Sequence, residues 1–368
     1  MKESEKMLYD GLKCCLLPLA AFSALSCSQT KPTAPNIIYV FPDQFRASAL
    51  AFWDEPEFSP YVRWKADPVR TPVLDAFASE SVVLSNAMSN CPLSSPYRGV
   101  FLTGMYPERS GIPLNCMAER PQSSLREDAV CISDVLKSKG YSCGYIGKLH
   151  ADFPTKNDPE NPGHYVSERR PEWDAYTPPE RRHGFDWWYS YGTFDVHKDP
   201  HYWDTDGVKH SPKEFSVKHE TDKAIEYLRN RNGERKADAP FFLVVGYNPP
   251  HSPYSGPEDC MAEDYEIYKD MSYKELYLRP NADTTLVKAP SARYYFANVT
   301  AVDREFGRIL NELKSLGLDK NTIVVFTSDH GETMCSQGTL DPKNSIYTES
   351  FNVPMIIRYP GKIRPHVD

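Results

Sequence analysis

Uniformly apolar runs of strand length alternate along the chain with longer segments whose apolar residues recur every three or four positions. Residues 36–41 (NIIYVF), 141–147 (YSCGYIG), 241–247 (FFLVVGY), 322–328 (TIVVFTS) and 354–359 (PMIIRY) read as strands buried on both faces. Residues 72–79, 132–139, 216–230 and 292–316 read as helices. The last carries Tyr295, Val299, Val302, Phe306, Ile309 and Leu313 as one apolar stripe. Strands alternating with helices predict an α/β fold, with a mostly parallel central sheet and helices on both of its faces. In such a sheet, ligands bind at the carboxyl ends of the strands. Residues 151–215 break the rhythm. They are rich in Pro, Asp, Arg, Tyr, Trp and His without sustained periodicity, and read as an irregular, substrate-shaping insertion.

Composition narrows the class. Of the 368 residues, 40% are hydrophobic and 25% charged, a mixture that can bury a core. The length suits one large domain or two smaller ones. A formal charge of −8 argues against a general nucleic-acid partner, which needs a cationic face. Residues 14–26 form a continuous apolar stretch shorter than the roughly 20 residues of a membrane span. The sequence Ala24-Leu25-Ser26-Cys27 follows it and resembles a bacterial lipoprotein cleavage box. Residues 1–27 therefore read as an export signal ending in a lipid anchor on Cys27, with an ordinary secretory signal as the alternative. Residues 28–35 read as a polar tether, and 36–368 as the domain proper. Its six cysteines have no CxxC spacing, which excludes zinc-ribbon and thioredoxin-like readings. Cys116, Cys131 and Cys143 allow a disulfide, and buried free thiols fit equally well.

Polar residues gather where the strands end. The first strand runs into Asp43-Gln44, the second into Lys148-Leu149-His150, the third toward His251 and the fourth into Asp329-His330-Gly331-Glu332. Taken singly, Asp43 and Asp329 could be caps and His251 a satisfied loop histidine. Four strands delivering such groups to one edge form a candidate site.

The segment Ser94-Ser-Pro96-Tyr-Arg98-Gly-Val-Phe-Leu102-Thr103-Gly104 resembles the sulfatase signature, a Cys or Ser followed by Pro at +2, Arg at +4 and Leu-Thr-Gly at +8 to +10. Ser94 fits that register; Cys91 and Ser95 do not. The resemblance to type I sulfatases of the alkaline phosphatase superfamily continues through Gly147-Lys148-Leu149-His150, His183-Gly184-Phe185-Asp186, Pro250-His251-Ser252-Pro253, Asp329-His330-Gly331-Glu332 and Lys343. It implies that Ser94 is oxidised to formylglycine, whose hydrate attacks sulfur and then ejects sulfate as the aldehyde reforms. It implies that Arg98 steadies the diol, that Lys148 and Lys343 meet the sulfuryl oxygens, that His251 with Lys343 protonates the leaving oxygen, and that His150 is the base for collapse of the hemiacetal. Both histidines are expected to titrate near neutral pH. Asp43, Gln44, Asp329 and His330 would join the Ser94-derived oxygen as metal ligands. The oxygen donors suit Ca2+, while His330 leaves room for Mn2+. By the same resemblance, a serine at the modified position implies a radical-SAM maturing enzyme that works without oxygen, and hence an anaerobic bacterium; the amino-terminal segment adds the expectation of an exported protein, periplasmic or an outer-membrane lipoprotein.

The expected substrate is a sulfated carbohydrate such as a glycosaminoglycan, by resemblance to N-acetylglucosamine-6-sulfatases and related glycan sulfatases. Trp187, Trp188, Tyr189, Tyr191, Tyr202 and Trp203 divide between sugar stacking and packing. Arg169, Arg170, Arg181, Arg182, His197 and His201 are candidates for further anionic groups. Two other readings remain: a phosphoester hydrolase or phosphotransferase using unmodified Ser94, and a silent lipoprotein that binds sulfated glycans. Beside the family pattern, the chain is expected to lack the smaller carboxyl-terminal subdomain.

Overall fold

The computed structural model describes residues 34–368 except Glu119, Pro121, Gln122, Glu168 and Arg169. The export signal, Cys27, most of the tether and Arg169 therefore lie outside the described residues.

The strands in chain order are β1 (Asn36–Val40), β2 (Val82–Val83), β3 (Ser142–Lys148), β4 (Trp187–Tyr191), β5 (Tyr202–Asp204), β6 (Lys209–His210), β7 (Phe241–Gly246), β8 (Thr322–Thr327), β9 (Met355–Arg358) and β10 (His366–Val367). They form one sheet in the order β10-β2-β9-β8-β1-β7-β3-β4-β5-β6. The middle, β8-β1-β7-β3-β4, is parallel. Antiparallel pairs flank it, β9 on β8 at one side and β5 on β4 at the other.

Burial follows position in the sheet. β3 and β7 are buried throughout, as expected of interior parallel strands. β1 alternates buried and half-buried positions, and β9 buries only Ile356. The 354–359 run is thus a half-exposed antiparallel strand rather than one buried on both faces.

Both faces carry helices. Along β7, Leu243 and Val245 join the core beneath helix Ala292–Ser315, while Phe242 and Val244 join Tyr97 and Leu102 of helix Ser94–Thr103 on the other face. The predicted stripe from Tyr295 to Leu313 is fully buried, each side chain contributing roughly 1.5–3 kcal/mol relative to exposure. The same helix caps another: Asp303 accepts the Val73 and Leu74 N–H groups at 3.1 and 2.7 Å, at the start of helix Pro72–Ser79. Among the described residues, no helix is long and apolar enough to cross a membrane. The six cysteines are free thiols, and all but Cys91 are buried.

The 151–215 segment corrects the expectation of irregular chain. Its WWYSY stretch is β4, paired in parallel with β3, and β5 and β6 extend the sheet edge. The period was hidden because aromatic side chains occupy both faces of β4. Trp188, Tyr189, Tyr191, Tyr202 and Trp203 are at most 3% exposed. They pack the sheet and are not available to stack on a sugar.

Candidate active site

The carboxyl ends of five adjacent strands meet at one edge. β8 leads to Asp329 and His330, β1 to Asp43 and Gln44, β7 to Asn248 and His251, β3 to Lys148 and His150, and β4 to Thr193 and Asp195. Helix Ser94–Thr103 points its amino terminus, and hence its partial positive charge, at the same place. Two glycines allow the close approach: Gly147 lies opposite Gly246 across β3 and β7. A Cβ on Gly147, which has φ +87°, would fall 2.3 Å from the Gly246 carbonyl oxygen. Gln44, His150 and Asp195 also hold positive φ (66°, 45° and 50°), a conformation that most residues reach only under constraint.

Ser94 is the hub. Its Oγ lies 3.2 Å from Asp43 Oδ1, 3.1 Å from His330 Nε2 and 3.5 Å from Lys343 Nζ. One helical turn on, Arg98 faces the same way. Its guanidinium does not bond Ser94; it donates to Asp43 at 3.1 Å, Asp329 at 3.5 Å and the Lys148 carbonyl at 2.5 Å. Two buried carboxylates, Asp43 and Asp329, draw it there. Lys148 Nζ lies 2.9 Å from Asp43 and donates to Asn248 Oδ1 at 3.0 Å.

Four donors beside Ser94 fit a divalent cation. Asp43, Asp329 and His330 offer ligand atoms within 4.8 Å of one another. His330 donates through Nδ1 to the Gly331 carbonyl at 2.9 Å, which leaves the Nε2 lone pair facing the acids. The Gln44 side-chain oxygen is buried with no hydrogen-bond partner among the described residues. Its orientation is set from behind: Gln44 Nε2 donates to Glu332 Oε2 and, at 3.1 Å, to the Tyr254 hydroxyl, which in turn donates to Glu332 at 2.9 Å. An orphaned carbonyl oxygen among two carboxylates and an imidazole nitrogen is a ligand set. The acids show the strain of proximity. Burial pushes the Asp43 carboxyl up, but the neighbouring cations, Lys148 first and then Lys343, outweigh it and hold it well below the usual range. Burial and the neighbouring Asp43 charge raise Asp329.

The two histidines do not titrate near neutrality as expected. Burial, then Lys148 and Lys343, lower His251 to about 3. Burial, then Lys148 and Arg98, push His150 well below the ordinary imidazole range. Both are neutral at pH 7 and their tautomers are legible. His251 donates through Nδ1 to the Ser252 carbonyl at 2.9 Å and accepts from Lys343 Nζ through Nε2 at 2.7 Å. His150 donates through Nε2 to the Cys116 carbonyl at 3.2 Å, leaving Nδ1 as its lone pair.

All ten sequence-predicted site residues converge on this edge. The basic residues of 151–215 mostly do not. Arg181 pairs with Asp152 and Glu127, Arg182 donates to carbonyls of Thr177, Asp204 and Thr205, His201 pairs with Asp174, and His197 bonds the Asp259 carbonyl. Arg170 alone of those described lines the pocket, a cavity of about 240 Å³, beside Trp173, Thr193 and Asp195. Sequence reasoning passed over Trp173, Thr193 and Asp195. Treating WWYSY as a strand and applying the strand-end rule would have found the last two.

Comparison with known proteins agrees with this geometry. The Sulfatase family model matches residues 35–368. The chain is 61% identical over 355 residues to an endo-4-O-sulfatase of Bacteroides thetaiotaomicron, spanning 95% of this chain and 70% of that protein. It is 36% identical to an ulvan-active sulfatase of Formosa agariphila, spanning 93% and 61%. A solved structure described with the metabolism of multiple glycosaminoglycans by Bacteroides thetaiotaomicron superposes with a TM-score of 0.90 at 62% identity, covering 91% of this chain and 69% of that one. The chain thus spans between 61% and 70% of the length of these relatives. The match runs from the first strand of the sheet to the last described residue and takes in every side chain gathered around Ser94: this chain belongs to the sulfatase family.

Proposed function

We propose that this chain hydrolyses sulfate esters of a sulfated glycosaminoglycan, with Ser94, in its formylglycine form, as the nucleophile-bearing residue. The carrying observation is the Ser94 oxygen held among Asp43, His330 and Lys343 at the floor of a cleft walled by cations. A hydrated formylglycine supplies an oxygen nucleophile with an internal exit for sulfate. A divalent ion on Asp43, Gln44, Asp329 and His330 supplies Lewis-acid stabilisation; the oxygen donors favour Ca2+, and the His330 nitrogen admits Mn2+.

The chain's own groups do the rest. Lys148 and Lys343 are fixed cations where charge builds on the sulfuryl oxygens, and their placement before substrate arrives is what makes them effective. Neutral His251 accepts a hydrogen bond from Lys343 through Nε2, so the two act together as the acid: His251 holds the ammonium in place, and Lys343 gives one of its remaining protons to the leaving sugar oxygen. The His150 Nδ1 lone pair takes the proton released when sulfate departs. The 4-O position is suggested by the name of the Bacteroides thetaiotaomicron relative. Maturation by an anaerobic radical-SAM enzyme and export with lipidation at Cys27 complete the proposal.

The test is to produce the protein with an anaerobic maturing system and assay sulfated oligosaccharides, an aryl sulfate and an aryl phosphate against a Ser94→Ala control. Sulfate release and a Ser94 peptide lighter by two hydrogens are expected. Full activity with unmodified serine sinks the formylglycine step, and faster phosphate than sulfate turnover sinks the sulfatase assignment.

A further inference from the structure

Three cations line the pocket, Lys148, Lys343 and Arg170, against one lining carboxylate, Asp195. Lys343 reaches Ser94, and Lys148 joins it on Asp43, so these two cations surround the position of the reacting sulfate. Arg170 does neither. Among the described residues it is tied to the centre through Asp195 alone, whose Oδ2 accepts from its Nη1 at 2.5 Å, and its guanidinium lies 5.4 Å over the Trp173 ring.

Asp195 does not need Arg170 for charge balance. Its other oxygen lies 3.6 Å from the Lys148 ammonium, and neutral His251 adds no charge there. Arg170 is therefore a surplus cation, one third exposed, clamped on one edge by a carboxylate and on one face by an indole. Its Nε and Nη2 groups make no hydrogen bond to any described residue. A planar donor edge with no partner among the described residues matches an oxyanion that can accept two parallel hydrogen bonds.

We propose that Arg170 binds a second anion of the substrate, the carboxylate of a hexuronate next to the sugar that carries the sulfate, with Asp195 and Trp173 as its positioning residues. This rests on the glycan-sulfatase reading above and adds that the enzyme recognises a sulfated unit together with its acidic neighbour.

The probes are a glycosaminoglycan disaccharide bearing a 4-O-sulfated hexosamine and a hexuronate, and the same disaccharide with its carboxylate reduced to an alcohol. Binding is measured by calorimetry on the Ser94→Ala protein, which cannot turn substrate over, with and without Arg170→Gln. Loss of the carboxylate is expected to weaken binding by about 10- to 100-fold when Arg170 is present and by less than about threefold when it is absent. Arg170→Lys, which keeps the charge but not the fork, should fall between. Equal losses with and without Arg170, or none in either, overturn the proposal. Failure to bind either disaccharide also overturns it, even if the matured enzyme desulfates other glycans. Absence of sulfate release from every ester tested with the matured enzyme instead removes the sulfatase reading beneath it.

Discussion

Glu332 sits behind the ligand set without contacting Ser94, and its replacement tests whether the orientation of Gln44 is enforced. Glu332 is fully buried. Its Oε2 accepts from Gln44 Nε2 and the Tyr254 hydroxyl, and its Oε1 accepts the Met334 N–H at 2.8 Å and faces Lys288 Nζ at 3.6 Å. In Glu332→Gln the volume is kept and one oxygen becomes an NH2 group. With the amide oxygen held by the Met334 N–H, that NH2 opposes two donors. Gln44 then relieves the clash by rotating its amide, which turns NH2 toward Asp43 and Asp329 where its orphaned oxygen had been. One of four protein ligands is lost. Outer-sphere changes of this kind cost about 10- to 100-fold in metal affinity, about 1.4–2.7 kcal/mol. Competition of Ca2+ or Mn2+ against a chromogenic chelator measures it. A dissociation constant within twofold of the parent, together with a lower melting temperature of the metal-stripped protein, would show that Glu332 only supports the fold and would refute this reasoning.

Other expectations follow from the same geometry. His251 has a folded pKa of about 3 against about 6.5 unfolded, so the unfolded chain binds its proton first as pH falls. Stability should decline from about pH 6.5 toward about 3, by up to about 1.4 kcal/mol per pH unit from this group, and His251→Asn should flatten that slope in denaturant titrations. Gly147→Ala combines a left-handed φ with a Cβ 2.3 Å from a carbonyl oxygen. It should cost at least about 2 kcal/mol in urea unfolding and lower activity by displacing Lys148. Trp188, only 2% exposed, is a packing residue; Trp188→Ala should lose about 3–5 kcal/mol of stability, whereas a surface stacking role predicts a change in KM with normal stability.

The site was legible where chemistry stands at the end of an apolar run. Lys148 ends a strand, and Asp43, His251 and Asp329 each follow one, whose apolar run makes it conspicuous, and Ser94 and Arg98 share a motif register. The fold's alternation was legible for the same reason, since β3, β7 and β8 have few polar interruptions. Asp195 was hidden because β4 before it reads as loop composition: Trp, Tyr and Ser on both faces mask period two. The state of the histidines was hidden for another reason. Their shifts come from Lys148, Lys343 and Arg98, which the chain brings beside them only in three dimensions. The direction in which Gln44 presents its amide depends likewise on Tyr254 and Glu332, 210 and 288 positions away.

The ligand pairs also divide the chain unusually. Asp43-Gln44 and Asp329-His330 are joined directly, Gln44 N–H to Asp329 Oδ1 at 2.9 Å, across 285 positions. Nearly the whole domain is a loop closed by that contact. Each half of the site alone is a pair of side chains just beyond one strand, with little to hold an ion, until β8 pairs with β1. The Asp43 and Asp329 charges repel across that seam beyond what Arg98 offsets, and a cation bound between them would turn the repulsion into attraction. An ion at one hundred times its dissociation constant then stabilises the closed chain by about 2.7 kcal/mol. If the proposed ligands hold a cation they are also a latch on the topology, and metal depletion should loosen the β1–β8 seam as well as lower activity.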